Sequence, residues 1–172
     1  MQRKSFSTMP CPIARSLEHV GAWWSILILR DASRGLTRFE QFQQSLGIAP
    51  NTLACRLDAL VESGLLERRR YREHPPRDEY VLTGRGRDFR PVLWALLAWG
   101  NRHFAPEGPS VTLVDAETGL PADPILVDRV SGKVMTSDGF RSVSRPTAAD
   151  PVQTRPAAGR PPVAPIDMEP AR

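Results

Sequence analysis

The sequence predicts a mainly α-helical domain carrying one small β-hairpin, followed by a short ribbon-like β extension and a disordered tail. Three observations predict it. Apolar residues recur at helical spacing through most of the first hundred positions. A single glycine, Gly47, separates two short helical runs. Two strand-like segments rich in arginine then flank a proline turn at His74-Pro75-Pro76. The expected organisation is a flexible arm over 1–10, a main domain over 11–105, an extension over 106–143 and a tail over 144–172.

Each element has a local reason. Pro12 suits a first helical position, Ile13, Leu17 and Val20 follow at helical spacing, and Gly21 stops the run. A second helix through Trp23, Ile26, Leu27 and Leu29, ending at Ser33-Arg34-Gly35, is dense enough in apolar residues to be largely buried. Phe39, Phe42 and Leu46 mark a third helix, and Leu53, Leu57, Leu60 and Val61 a fourth that ends before Gly64. Two short helices around a tight glycine turn have the layout of a helix-turn-helix, although that layout also occurs in proteins that never touch DNA. The runs Leu65 to Tyr71 and Asp78 to Leu82 pair as a hairpin, which after such a motif is a wing. The predicted fold class is therefore an α+β winged helix-turn-helix. Thr83 then caps one long helix whose Phe89, Val92, Leu93, Leu96, Leu97, Trp99 and Phe104 are apolar around more than one face, which calls for a partner subunit.

Beyond Ala105 a short repeat appears: Leu113-Val114-Asp115-Ala116-Glu117-Thr118-Gly119 against Leu126-Val127-Asp128-Arg129-Val130-Ser131-Gly132. Each copy reads as a strand closed by an Asp-x-x-Thr/Ser-Gly turn, whose Asp can bond the backbone two residues on, so 110–137 is expected to be a small β-element. From Ser144 to Arg172 the chain is mostly Pro, Ala, Arg and Asp, too poor in large apolar groups to offset its ordering entropy.

Charge points to a partner. Residues 1–105 carry 16 Lys and Arg against 10 Asp and Glu, whereas 106–172 carry 7 against 9. All the basic residues except Lys4 and Lys133 are arginine, whose planar fork suits phosphate oxygens and the guanine edge. Arg68, Arg69, Arg70, Arg72 and Arg77 crowd the wing with only Glu67, Glu73, Asp78 and Glu79 opposing them, and such crowding implies an anionic partner. Strand alternation places Arg68, Arg70 and Arg72 on one face, with Arg69 and Tyr71 on the other. The plainer reading is a solvated edge strand protected against pairing. Arg34 and Arg38, near the start of the third helix, are further phosphate candidates.

In a helix-turn-helix the second helix enters the major groove. Its stripe opposite Leu53, Leu57 and Leu60 is Asn51, Thr52, Cys55 and Arg56. Asn can read adenine, Arg guanine, and Thr a phosphate or a thymine methyl. Equally, Asn51 and Thr52 can be ordinary helix-start residues and Arg56 a solvated or ion-paired side chain.

Other classes have less to stand on. Cys11 and Cys55 have no CxxC spacing, and His19, His74 and His103 have no ligand spacing with one another or with a cysteine. No glycine-rich phosphate motif occurs, so no enzyme, cofactor or metal is expected. No apolar run reaches the roughly 18 residues of a membrane span and the start resembles no signal peptide, so a cytoplasmic protein is expected. The stronger rival is a winged helix turned protein-interaction module, which predicts wing arginines that are paired or buried and no salt-dependent DNA binding.

The chain resembles the HxlR family of MarR-like winged-helix regulators through Cys11-Pro12-Ile13-Ala14, Gly21-Ala22-Trp23-Trp24, Arg38-Phe39, Gly47-Ile48-Ala49-Pro50-Asn51-Thr52-Leu53, Gly64-Leu65, Pro75-Pro76, Tyr80 and Leu82-Thr83. The resemblance covers about residues 9–104. It implies a DNA-binding homodimer built through the first and last helices, with the fourth helix in the major groove and the wing at the flanking minor groove. The sequence departs from the family at Ala49, where a capping Ser is usual, and at Asn51, often a Lys. Some members sense oxidants or electrophiles through a cysteine just before the first helix. Cys11 stands there, although a small cysteine packed at a helix start is also common. Oxidation of Cys55 on the expected DNA face would be a second route to control. Some members also carry paired cysteine knuckles after the winged helix. Here Asp115, Thr118, Asp128 and Ser131 fill those places, which excludes a four-thiolate zinc site and predicts a metal-free ribbon. Nothing in the residues names an operator or an effector.

Overall fold

The computed structural model describes residues 5–136 and 138–143. The tail over 144–172, Ser137 and the first four residues of the arm lie outside the described residues. Of the described residues, those up to Leu126 form one compact unit and those from Val127 a second.

Among the described residues six helices and two strands follow in order: α1 (Pro12–Val20), α2 (Trp23–Ser33), α3 (Phe39–Leu46), α4 (Pro50–Glu62), β1 (Leu66–Arg72), β2 (Arg77–Leu82), α5 (Gly84–Asp88) and α6 (Arg90–His103). Proline starts α1 and α4 where no N–H is needed. Ala49 precedes α4 without a side-chain cap. The start of α3 is secured instead by Gln41, whose Oε1 accepts from the Thr37 and Arg38 N–H groups. Gly47 closes α3 at φ +60°, a left-handed conformation that a β-carbon would strain, and this turn sets α4 across α3.

The core lies where α2, α3, α4 and the base of the hairpin converge. Ile28, Leu29, Phe42, Leu53, Leu57, Leu60 and Leu66 are fully buried there, with Val20, Ile48, Leu65 and Tyr80 around them. Close-packed side chains of this size make each position sensitive to truncation, at roughly 2–5 kcal/mol for Leu to Ala. Helix α2 is central, as its density predicts, but not buried throughout. Trp23 at its start is 77% exposed, whereas Asp31 near its end is buried against the guanidinium of Arg30 at 2.8 Å.

The hairpin is a two-stranded antiparallel sheet held along the outer edge of β2. The Tyr80 N–H donates to the Thr37 carbonyl at 2.7 Å, and Arg38 bridges Glu79. Thr83 turns the chain out of the sheet: its hydroxyl donates to the Gly64 carbonyl at 2.6 Å and accepts from the Gly86 N–H at 3.1 Å. Gly86 is required here, since a β-carbon would come within 2.1 Å of the Leu65 carbonyl oxygen.

Three expectations are corrected. Thr83 caps the five-residue α5, not one long helix, and α6 starts afresh at Arg90 with Phe89 between them. Pro91 is the physical reason, because it has no N–H to give the Arg87 carbonyl and its ring crowds that carbonyl. The alternation of wing faces fails at Tyr71. Arg70 pairs with Asp78 and Arg72 with Arg77, so a bulge leaves Tyr71 without a partner residue and shifts Arg72 off the face of Arg68 and Arg70. In the extension both Asp turns form, but the flanking residues make single bridges, Val114 with Pro121 and Val127 with Val134, rather than strands. In the first copy Pro121 has no N–H with which to extend a ladder.

Candidate nucleic-acid interface

Helix α4 buries Leu53, Leu57 and Leu60, which leaves Asn51, Cys55, Asp58 and Glu62 on its outer stripe. Asn51 and Cys55 are therefore exposed as expected from their spacing. Thr52 and Arg56 are half-buried at the edge of that stripe. Arg56 turns toward Gly21, Ala22 and Trp23, and its Nε is buried without a hydrogen-bond partner.

All five wing arginines are exposed, yet four have carboxylate partners. Arg68 pairs with Asp58 of α4 and lies over the ring of Tyr80. Arg69 pairs with Glu67 at 3.0 Å, and that hydrogen bond holds the Glu67 carboxyl below its ordinary range. Arg70 bonds Asp78 at 3.0 Å and stands 3.9 Å from Glu73. Arg77 stands 3.8 Å from Glu40 of α3. Arg72 donates instead to the His74 carbonyl at 3.0 Å. The crowding of arginine against little opposing charge, read from the sequence, is thus corrected: β1 and β2 bring acidic residues opposite the basic ones, through pairs such as Arg70 and Asp78.

Arg34 ends α2 and Arg38 precedes α3, both exposed. Arg34, Arg38, Arg56 and Arg72 make no ion pair with a carboxylate among the described residues. The guanidinium of Arg38 lies 4.8 Å from the centroid of the Tyr71 ring. Strand alternation gives Tyr71 no such contact; the bulge places it here, and no sequence signal marks the bulge. Asp58 was likewise passed over. An acid on the outer stripe of α4, followed closely by an arginine strand, was a usable signal for that pair.

The two cysteines are free thiols, both exposed, Cys11 at the N-terminus of α1 and Cys55 on α4. In the extension Asp115 Oδ1 accepts from the Thr118 N–H at 2.8 Å, the Thr118 hydroxyl at 2.9 Å and the Glu117 N–H at 3.0 Å. Asp128 does the same with Ser131 and Val130. These bonds hold both carboxyls below the ordinary Asp range, led by Thr118 in one turn and Ser131 in the other. Among the described residues no three His, Cys, Asp or Glu gather as a metal site, and no helix is long and apolar enough to cross a membrane.

A glycine-turned helix pair with an exposed second helix, followed by a basic hairpin fixed to the same core, defines a winged helix-turn-helix of the kind found in transcription regulators. Sequence comparison narrows this to one family. The HxlR-like helix-turn-helix family matches residues 19–108, and the chain belongs to it. An uncharacterised HTH-type transcriptional regulator of Mycobacterium tuberculosis is 42% identical over 126 residues, 73% of this chain and 80% of that protein. The solved structure of PA1607, a protein provisionally assigned as a transcription factor, superposes with a TM-score of 0.74 at 41% identity, covering 83% of this chain and 99% of its own. The redox regulator HypR in its reduced form superposes with a TM-score of 0.51 at 29% identity, covering 54% of this chain and 95% of its own. The protein is a transcription regulator with a helix-turn-helix domain.

Proposed function

We propose that the chain acts as a homodimer that binds duplex DNA in the cytoplasm, without catalysis, placing α4 in the major groove and the wing on the flanking backbone. The observation that carries this reading is the pairing of exposed Asn51 and Cys55 on α4 with exposed arginines on neighbouring elements, Arg34, Arg38 and Arg72, that have no carboxylate partner among the described residues. Asn51 is assigned to a base edge, with Thr52 and Cys55 beside it; Arg56 reaches a base edge only by swinging out from Gly21, Ala22 and Trp23. Arg34, Arg38, Arg68, Arg70, Arg72 and Arg77 are assigned to phosphates. Exposed ion pairs such as Arg70 with Asp78 are weak and screened, so phosphate can replace the carboxylate.

The dimer reading rests on apolar surface. Ile13 and Leu17 of α1 and Val92, Leu96 and Trp99 of α6 are all exposed, more large apolar groups than a monomer usually leaves in water on two helices. We assign thiol control to Cys11, exposed at the start of α1 and so beside the proposed dimer face. The likeness to HypR, a redox regulator, supports that assignment.

One observation favours a second reading. Four paired wing arginines are what a protein-interaction module would have. A titration of labelled DNA from upstream of the chain's own gene, against scrambled duplex, separates the two. Preference for the first duplex supports the regulator, and no binding to either at low salt supports the interaction module. Loss of binding with diamide, reversed by thiol and absent in Cys11→Ser, supports redox control; indifference to diamide removes it.

A further inference from the structure

Helix α6 presents three flanks. Phe89 and Leu93, at and just inside its start, pack against the core. Val92, Leu96 and Trp99 form an exposed apolar stripe at helical spacing. On the flank away from that stripe, Trp94, Leu97, Ala98 and Asn101 face the segment 112–124. The Asn101 amide anchors that segment by donating to the Val111 carbonyl at 2.9 Å. The segment folds on itself through Ala122 N–H to the Leu113 carbonyl at 2.8 Å and Asp115 N–H to the Leu120 carbonyl at 2.9 Å.

A cavity of about 310 Å³ remains between the helix and this segment, at the small end of ligand sites. Its lining is mixed: the Trp94 ring, Leu97, Ala98, Leu113 and Pro124 supply apolar surface, and Asn101 and Thr112 supply polar groups beside it. Its polar end carries one cation and one anion, Arg102 and Asp123, 3.9 Å apart and 64% and 79% exposed. That spacing is longer than a hydrogen bond, and an exposed pair of this kind exchanges readily for better partners.

We propose that this cavity binds a small zwitterion with an apolar side chain, of the α-amino acid class. The carboxylate sits on Arg102, the ammonium on Asp123, and the side chain lies among Trp94, Leu97 and Leu113. Opposite charges at one end select for both groups together. A simple acid would leave its carboxylate beside Asp123, and a simple amine would leave its ammonium beside Arg102. This flank lies on the side of α6 away from Val92, Leu96 and Trp99, the stripe assigned above to the dimer. The site stands independently of DNA binding, so its test needs no DNA.

Calorimetry on the full chain with L-leucine and L-phenylalanine, against 4-methylpentanoate and isoamylamine, tests the proposal. At least one amino acid should bind, with both singly charged analogues weaker by about tenfold or more, near 1.4 kcal/mol. Arg102→Gln and Asp123→Asn should each weaken binding by a similar factor, and Ala98→Trp should abolish it by filling the cavity. Circular dichroism confirms that each variant is folded. Absence of binding by both L-leucine and L-phenylalanine, equal binding of either singly charged analogue, or full binding in both charge variants would overturn the assignment.

Discussion

Asn51 and Cys55 stand one turn apart on the outer face of α4, while Arg56, their neighbour in sequence, leans back toward Gly21, Ala22 and Trp23. These residues therefore differ in what their loss should do. Asn51→Ala removes a group assigned to an adenine edge. It should relax sequence preference at one operator position by about 1–3 kcal/mol and leave binding to scrambled duplex unchanged, as read by competition titration. Arg70→Ala and Arg72→Ala should weaken binding to all duplexes alike and lower the salt slope by about 1 each. Of the two, Arg72 should matter more, because Arg70 has Asp78 and Glu73 competing with phosphate. At this scale sequence reading was least complete. Exposure of Asn51 and Cys55 follows from helical period alone, but the partners of Arg68, Arg69, Arg70 and Arg77 depend on strand register, which periodicity does not supply.

Elements were more legible than contacts. Proline and glycine bounded α1 and α4 because these residues act on the backbone locally, whatever the tertiary setting. The break between α5 and α6 was available in Pro91 and was obscured by the continuous apolar run around it. The bulge at Tyr71 had no such local mark. Arg68 and Asp58 form an exposed link between the wing and α4, in addition to the backbone bonds that hold the base of the hairpin. Asp58→Ala should speed hydrogen exchange at the hairpin amides while leaving α2 and α3 protected, measured by exchange mass spectrometry. The Asp turns give a pH prediction. Their carboxyls titrate below the ordinary Asp range, so the turns are stabilised above that range and loosen as pH falls through the lowered values. The amide resonances of Thr118 and Ser131 should shift at that lower pH, and a midpoint at the ordinary Asp value would contradict the hydrogen bonding described.

On the scale of the whole molecule, α6 has no fully buried residue and Trp99 is 52% exposed, although both belong to a domain whose core is otherwise well filled. A helix of this composition makes sense when a second copy covers it. Leu96→Glu and Trp99→Glu should raise the dimer dissociation constant by roughly thirtyfold or more, on the order of 2 kcal/mol, in sedimentation velocity. The fold class was legible from sequence because helix period, glycine turn and proline-centred hairpin all agree in order. The cavity beside α6 was not, since the Asp-turn repeat marks the local fold of one wall but nothing in either segment marks their packing together.

A winged helix that meets DNA through phosphate as well as bases must bind duplex in a salt-dependent way. The logarithm of the association constant, plotted against the logarithm of salt concentration, should fall with a slope corresponding to several phosphates, about −0.9 for each. The slope should become shallower in Arg72→Ala. A wild-type slope near zero, with the protein shown to be folded and active in dimerisation, would contradict the account.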